Sequence, residues 1–210
     1  MRAVLRAVLF DFGGVILSSP FEAFAAYERR EGLPDGFIRT VNATNPHANA
    51  WARLERSELD LDGFVAVFED EARALGHEVD GHAVIACLRG EIRPRMVAAL
   101  RRCHERYATG LLTNNFLTGT TDWSSGGTFG EIIDLFDAVI ESSRVGVRKP
   151  EPRFYEIALD ELDVRADEAV FLDDLGVNLK PARELGMATI KVVDPDAALD
   201  ELAALTGLDL

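Results

Sequence analysis

Carboxylates that follow short apolar runs are the residues of this chain best suited to chemistry. Asp11 follows the run at residues 7–10, and Asp173 and Asp174 follow the run at residues 169–172. In an open parallel sheet, side chains at the carboxyl ends of strands line the edge where ligands bind. Carboxylate oxygens are the ligands that Mg²⁺ prefers in proteins. The two segments therefore predict a Mg²⁺ site that could also receive a phosphate group.

Each of these carboxylates also has a plainer interpretation. Gly13 and Gly14 allow a tight turn after Asp11, so this carboxylate could bind a metal or attack phosphorus as a nucleophile. It could equally form an Asx turn or cap the next helix. The adjacent acids Asp173 and Asp174 repel each other at close range, which a bound divalent cation offsets, unless both are exposed or capping.

Polar residues between these two segments suit a phosphate group. Thr113 and Asn114 follow an apolar run at residues 110–112, where a hydroxyl and an amide can contact phosphate oxygens or simply form a turn. Lys149 lies in a loop with two prolines, which place its ammonium group at a small entropic cost. A single lysine is otherwise typical of a solvated surface. Together these residues predict a phosphate site.

The elements that must position these residues are short strands separated by helices. The apolar runs lie at residues 7–10, 110–112, 138–140, 169–172 and 188–193. Such alternation predicts an α/β fold with a doubly wound, Rossmann-like parallel sheet.

The long gap between the first two runs has helical patterns and no convincing strand. Phe64, Phe68 and Ala72 share one face of a helix that Gly76 is placed to end. We therefore expect an α/β core at residues 1–17 and 93–210, and an inserted helical domain at residues 18–92, called the cap segment below.

Composition limits the partners of this protein. The chain has 210 residues and a formal net charge of -14, which argues against binding to nucleic acid or to an anionic membrane surface. No apolar run reaches the length that spans a bilayer. We expect a cytoplasmic protein, monomeric or homodimeric, whose partner is a small phosphorylated metabolite bound through a lysine and a metal ion.

The order of the motifs resembles that of a known family. Asp11 is followed by Thr113-Asn114, by the segment at residues 140–146, by Lys149-Pro150-Glu151-Pro152, and by the segment at residues 171–183. In this order the chain resembles the haloacid dehalogenase superfamily of hydrolases. Within that superfamily it is especially similar to the phosphatase-type N-terminal domain of soluble epoxide hydrolases and their bacterial single-domain relatives.

The resemblance implies a phosphatase that works through an aspartyl-phosphate at Asp11. The Mg²⁺ ligands that it implies are Asp11, the backbone carbonyl of Gly13, Asp174, and Asp173 directly or through water. The phosphate-binding residues that it implies are Thr113, Asn114 and Lys149.

Gly13 departs from the family pattern. Phosphatases of this family carry an aspartate here, which protonates the leaving oxygen and then activates water, and such proton transfer contributes ~10²–10⁴-fold. Three functions stay open for a chain with glycine at this position: a phosphatase whose substrate has a good leaving group, a 2-haloacid dehalogenase-type hydrolase that needs no leaving-group proton, and a catalytically weak binding or association domain.

Substrate selection in this family belongs to the cap. His47, Trp51 and Arg53 of the cap segment could therefore contact the organic part of a substrate, with Trp51 stacking on a ring. Packing within the cap is the alternative for Trp51. Trp123, in a polar loop after Asn114, could contact the substrate as part of a lid.

Overall fold

The structure, a computed structural model, describes residues 4–88, 90–115 and 128–210. Within these ranges parallel strands form one sheet in the order β3-β2-β1-β4-β5. The strands are β1 (Ala7–Phe10), β2 (Ala108–Thr113), β3 (Ala138–Glu141), β4 (Ala169–Asp173) and β5 (Ala188–Lys191). They lie at the predicted apolar runs, so the prediction of a doubly wound α/β fold is confirmed.

Strand β1 lies at the centre of the sheet and is buried on both faces. Val8 and Phe10 belong to one hydrophobic cluster, and Ala7 and Leu9 belong to another on the opposite face. Successive side chains of a strand point to opposite faces, so a strand covered on both sides needs a continuous apolar sequence. This explains why the run before Asp11 contains no polar residue.

Helices cover both faces of the sheet and form the cap segment. The cap helices are α1 (Pro20–Glu31), α2 (Phe37–Ala43), α3 (Ala50–Glu55), α4 (Leu61–Ala74) and α5 (Gly81–Ala86). The helices that follow are α6 (Pro94–His104), α7 (Thr128–Ile133), α8 (Ser142–Val145), α9 (Pro152–Glu161), α10 (Gly176–Leu185) and α11 (Pro195–Thr206). None of the described helices has both the length and the apolar character needed to cross a bilayer.

Helix α4 shows how the sequence organises the cap segment. The side chain of Asp60 caps its first turn by accepting a hydrogen bond from the Gly63 amide at 2.8 Å. Phe64, Phe68 and Ala72 are fully buried, and the helix ends just before Gly76, as the apolar spacing predicts. These residues belong to a hydrophobic cluster of the cap segment, separate from the two clusters at the sheet. That separation supports the proposed division into a core and a cap.

Two short stretches of chain join the cap segment to the sheet and pair with each other. The Ser18 amide donates to the Glu91 carbonyl at 2.8 Å, and the Arg93 amide donates to the Ile16 carbonyl at 2.9 Å. Leu17 and Ile92 form an antiparallel bridge between these bonds. We call residues 16–18 and 91–93 the junction ribbon, because the chain leaves and re-enters the core there.

Candidate active site

Asp11 lies directly after the central strand, where the chain turns sharply. Its amide still continues the sheet by donating to the Leu172 carbonyl at 2.9 Å. Its carboxylate oxygen Oδ1 accepts a hydrogen bond from the Phe12 amide at 2.7 Å. In this turn Gly13 is extended, with φ -69° and ψ 132°, and Gly14 has a positive φ of 78°. The carboxylate therefore caps the turn and is also available to the site.

Lys149 is the buried cation of the site. Its amine lies 2.8 Å from Asp11 Oδ1 and 2.8 Å from Asp173 Oδ2, and the residue is 1% exposed. Burial alone lowers the pKa of Lys149, but the charges of Asp11 and then Asp173 outweigh burial and raise it. The ammonium group is therefore charged at neutral pH and joins the ends of β1 and β4.

Asp173 is fully buried and holds Lys149 in place. Its Oδ2 accepts from Lys149 and from Asn178 Nδ2 at 3.0 Å. Its Oδ1 accepts from the Leu175 amide at 2.8 Å and from the same Asn178 nitrogen at 3.1 Å. Both oxygens of Asp173 are thus engaged by protein donors, which favours a supporting role over direct contact with a metal.

Asp174 points to another part of the turn and is less buried than Asp173. Ser19 Oγ donates to Asp174 Oδ2 at 3.2 Å. Burial, followed by repulsion from Asp173, raises the pKa of Asp174 to about 6. Burial also raises the pKa of Asp11, although Lys149 acts in the opposite direction. Burial thus penalises the charged form of both carboxylates.

A divalent cation fits this arrangement. Asp11, Asp173 and Asp174 each offer a carboxylate oxygen, and these three oxygens lie within 4.8 Å of one another. An all-oxygen donor set of this kind suits a hard cation such as Mg²⁺. The raised pKa values of Asp11 and Asp174 point the same way, because a cation between the carboxylates would relieve their repulsion.

Asn114 supports the backbone of Lys149. Its Oδ1 accepts from the Lys149 amide at 2.9 Å, and its Nδ2 donates to the Lys149 carbonyl at 3.0 Å. Thr113 ends β2 one residue earlier and is 6% exposed. The structure thus brings Thr113, Asn114, Lys149 and the acidic cluster to one edge of the sheet, while direct contact of these residues with phosphate stays a prediction.

The candidate substrate-selecting residues of the cap segment have described contacts with neighbours in that segment. Trp51 is 8% exposed and packs edge-on against Phe64 with ring centroids 4.7 Å apart, which corresponds to the packing alternative. His47 is exposed, and its carbonyl accepts from an Arg56 side-chain nitrogen at 3.1 Å. Arg53 lies 3.9 Å from the carboxylate of Glu58. The fourth candidate, Trp123, lies outside the described residues.

Two neighbouring glycines allow a direct test of the metal site. A Cβ added at Gly14 would clash with the carboxylate of Asp174, and the φ of 78° is strained for alanine, whereas a Cβ at Gly13 meets nothing within 4 Å. We expect Gly14→Ala to displace the Asp174 carboxylate, to weaken Mg²⁺ binding by at least about tenfold and to lower the free energy of unfolding by ~1–3 kcal/mol.

Gly13→Ala is the matched control, because its backbone is already extended and its space is open. It should leave Mg²⁺ affinity and stability nearly unchanged. Calorimetric titration with Mg²⁺ and urea unfolding measure the two quantities. Equal Mg²⁺ affinity in the two variants would remove Asp174 from the proposed ligands.

The fold and the site define a doubly wound α/β protein with an acidic site at its topological switch point. The chain runs from β1 outward through β2 and β3, then crosses to β4 and β5, so the switch lies between β1 and β4. Asp11 and Asp173 lie at the ends of those two strands. A model of the haloacid dehalogenase-like hydrolase family matches residues 5–186, and the chain belongs to this family.

Several known proteins are similar to the chain over nearly its whole length. Bifunctional epoxide hydrolase 2 from Sus scrofa is 36% identical over 219 residues, which cover 98% of this chain and 40% of the relative. This chain thus spans less than half of that protein. The sesquiterpene phosphatase astK from Aspergillus oryzae is 27% identical over 210 residues, which cover 99% of this chain and 100% of the relative.

A solved structure shares the fold. An enzyme of the haloacid dehalogenase family from Bacteroides thetaiotaomicron, crystallised with magnesium and inorganic phosphate, superimposes with a TM-score of 0.59. Its sequence is 21% identical, and the match covers 89% of this chain and 93% of that one. The family model and the similar sequences confirm the family resemblance, and this solved structure shares the fold.

Proposed function

We propose that the chain is a Mg²⁺-dependent phosphatase that acts on a small phosphorylated metabolite, with Asp11 as the nucleophile. The observation that carries this proposal is the charge pattern of the site, in which a buried lysine and an acidic cluster meet at the end of β1. The whole-length similarity to a protein named as a sesquiterpene phosphatase supports the same reaction class.

The residues of the site suit transfer of a phosphoryl group to Asp11. The carboxylate attacks phosphorus and forms an aspartyl-phosphate, which is an acyl phosphate, as the bond to the leaving oxygen breaks. The Phe12 amide and Lys149 both contact Asp11 Oδ1 and so orient the carboxylate before attack. Lys149 also offsets the charge repulsion between Asp11 and the incoming phosphate. Water then hydrolyses the acyl phosphate, which releases inorganic phosphate and regenerates Asp11.

The proposed Mg²⁺ ligands are Asp11, the carbonyl of Gly13 and Asp174, with Asp173 acting through water because both its oxygens already accept hydrogen bonds. When bound, Mg²⁺ would neutralise the phosphate and hold it for in-line attack. We propose that Thr113 donates its hydroxyl to a phosphate oxygen. Asn114 would act mainly through the Lys149 backbone, which it already binds in the described structure.

The glycine at position 13 limits the range of substrates that such a phosphatase can hydrolyse. It presents no side chain to protonate the leaving oxygen, and a Cβ placed there meets nothing within 4 Å. The favoured substrates are therefore phosphates whose leaving group is stable without prior protonation, such as acyl phosphates, aryl phosphates and sugar 1-phosphates.

Leaving-group dependence tests the proposed function. We expect Mg²⁺-dependent phosphate release from 4-nitrophenyl phosphate, with simple alkyl phosphates slower by ~10²–10⁴-fold, the usual contribution of a general acid. Phosphate release is measured with and without EDTA. Equal rates for aryl and alkyl phosphates would mean that another group supplies the proton, and release that persists in EDTA would contradict the metal assignment.

A second candidate is a 2-haloacid dehalogenase-type hydrolase, which Gly13 favours because a departing halide needs no proton. Its reaction also passes through a covalent intermediate on Asp11, in this case a carboxylate ester, but needs no metal. The excess of negative charge at Asp173 and Asp174 argues against it, since a metal-free site of this charge would repel an anionic haloacid. Chloride release from a 2-haloacid in the presence of EDTA, with no phosphate release in Mg²⁺, would favour the dehalogenase.

A further inference from the structure

Glu55 of the cap segment reaches the lysine loop of the core. It is the last residue of α3, and its Oε2 accepts a hydrogen bond from Asn114 Nδ2 at 3.2 Å. The same oxygen forms an ion pair with Nε of Arg148. The side chains of Glu55 and Arg148 are only 14% and 15% exposed, so this contact is more shielded from water than an ordinary surface ion pair.

The two partners of Glu55, Asn114 and Arg148, both lie next to the main chain of Lys149. Asn114 binds the Lys149 amide and carbonyl at once. Arg148 immediately precedes Lys149, and its NH1 donates to the carbonyl of Pro46 in the cap segment at 3.0 Å. One cap carboxylate therefore contacts both the residue that binds the Lys149 main chain and the residue that precedes Lys149.

We infer that Glu55 is a positioning residue for Lys149, which links docking of the cap segment to placement of the ammonium group between Asp11 and Asp173. The structural part of this inference stands on the contacts alone, and its kinetic consequence rests on the proposed phosphatase function. When the cap is docked, Glu55 holds Asn114 and Arg148 on either side of the lysine peptide. When these contacts break, Arg148 loses its buried partner and the loop loosens.

Two other described contacts between the cap segment and the core involve residues other than Asn114, Arg148 and Lys149. Ser57 Oγ donates to the Ser143 carbonyl at 3.2 Å, and Arg56 lies 3.8 Å from Glu151. Glu58 has the same side chain as Glu55 and lies three residues further along the chain, but its ion pairs are with Arg56 and Arg53 of the cap segment. Glu58 is therefore a matched control for Glu55.

Hydrogen exchange tests the positioning role without any assay of activity. The Lys149 amide donates to Asn114, so its exchange rate reports how firmly the loop is held. We expect Glu55→Ala to accelerate exchange in peptides covering residues 147–151 by about tenfold, the effect of losing a charge-assisted hydrogen bond. Glu58→Ala should leave this exchange unchanged. Equal exchange in the two variants would overturn the inference.

Kinetics provide the second readout. Because Lys149 stabilises charge that develops during phosphoryl transfer, Glu55→Ala should lower kcat by about tenfold with little change in KM. Glu55→Gln keeps an acceptor for Asn114 and should recover part of the loss. A change in KM alone would instead assign Glu55 to substrate binding and overturn the inference.

The two readouts separate this inference from the proposed function. Faster exchange in Glu55→Ala, together with a wild type that releases no phosphate from any substrate, would reject the phosphatase and retain the positioning role. Phosphate release by the wild type, together with unchanged exchange in Glu55→Ala, would do the reverse.

Discussion

Asp11→Asn is expected to lower phosphatase turnover by ~10⁴-fold or more, the scale of effect seen when an enzyme loses its nucleophile. The asparagine amide cannot form the aspartyl-phosphate intermediate that the proposed reaction requires. Asparagine has nearly the same shape as aspartate and keeps a carbonyl oxygen for the Phe12 amide. The substitution therefore removes the nucleophile with little change in packing.

The folded state should tolerate this substitution. Burial raises the pKa of Asp11, which means that its environment penalises the charged carboxylate, and Lys149 retains Asp173 as a partner. We expect the free energy of unfolding to change by no more than about 1 kcal/mol. Thermal unfolding and single-turnover phosphate release measure the two effects.

Asp70→Asn is the matched control for this prediction. Asp70 is an exposed aspartate of the cap segment that pairs with Arg73, so its replacement should change neither turnover nor stability measurably. Turnover of Asp11→Asn at the level of this control would exclude Asp11 as the nucleophile.

Gly13→Asp is expected to raise turnover of unactivated alkyl phosphates by ~10²–10⁴-fold, because it restores a general acid beside the nucleophile. The backbone needs no rearrangement, since φ -69° and ψ 132° are ordinary values for aspartate. The side chain enters open space, since a Cβ at this position meets nothing within 4 Å. Rates for aryl phosphates should change less, because their leaving groups depart without a proton.

Gly13→Asn separates proton transfer from the effect of adding a side chain. It has nearly the same size as the aspartate variant but cannot act as an acid, so alkyl phosphate turnover should stay at the wild-type level. A similar gain in both variants would show that the side chain acts by another route. Activity in Gly13→Asp alone, with none in the wild type on any phosphate, would favour the binding or association domain.

The strands and the position of the site could be predicted from sequence because the information is local. Each strand is an apolar run, and polar residues begin where the run ends, as at Asp11 and Thr113. The order of the strands places these ends side by side through general rules for parallel sheets. The local sequence pattern was therefore enough to predict that the acidic segments, Thr113 and Lys149 belong to one site.

The different roles of Asp173 and Asp174 depend on geometry that a linear pattern does not contain. In sequence the two aspartates are equivalent neighbours. In the structure Asp173 is fully buried and pairs with Lys149, whereas Asp174 accepts a hydrogen bond from Ser19. Successive side chains at a strand end point in opposite directions, which accounts for the split. Asn178 was missed, because its contact with Asp173 depends on how α10 starts after the turn.

Contacts between the cap segment and the core were the least predictable. Glu55 and Asn114 are far apart in sequence, and nothing in either local pattern indicates that they meet. For Trp51 the sequence left substrate stacking and cap packing open, and the structure places it against Phe64 on the apolar face of α4. Side chains that complete a local apolar face are predictable, and those that bridge two packed units need the orientation of those units.

The junction ribbon bears on how proteins of this shape can diversify. Ser18 and Glu91 are hydrogen-bonded neighbours, so the chain returns to the place from which it departed, and no described strand of the sheet lies between them in sequence. A different helical insert between these two points would leave every described strand pairing in place, but it would have to replace the contact of Glu55 with Asn114 and Arg148 beside Lys149. Over evolutionary time, such an insert can be exchanged as one unit, on the condition that the new insert also supports the lysine loop.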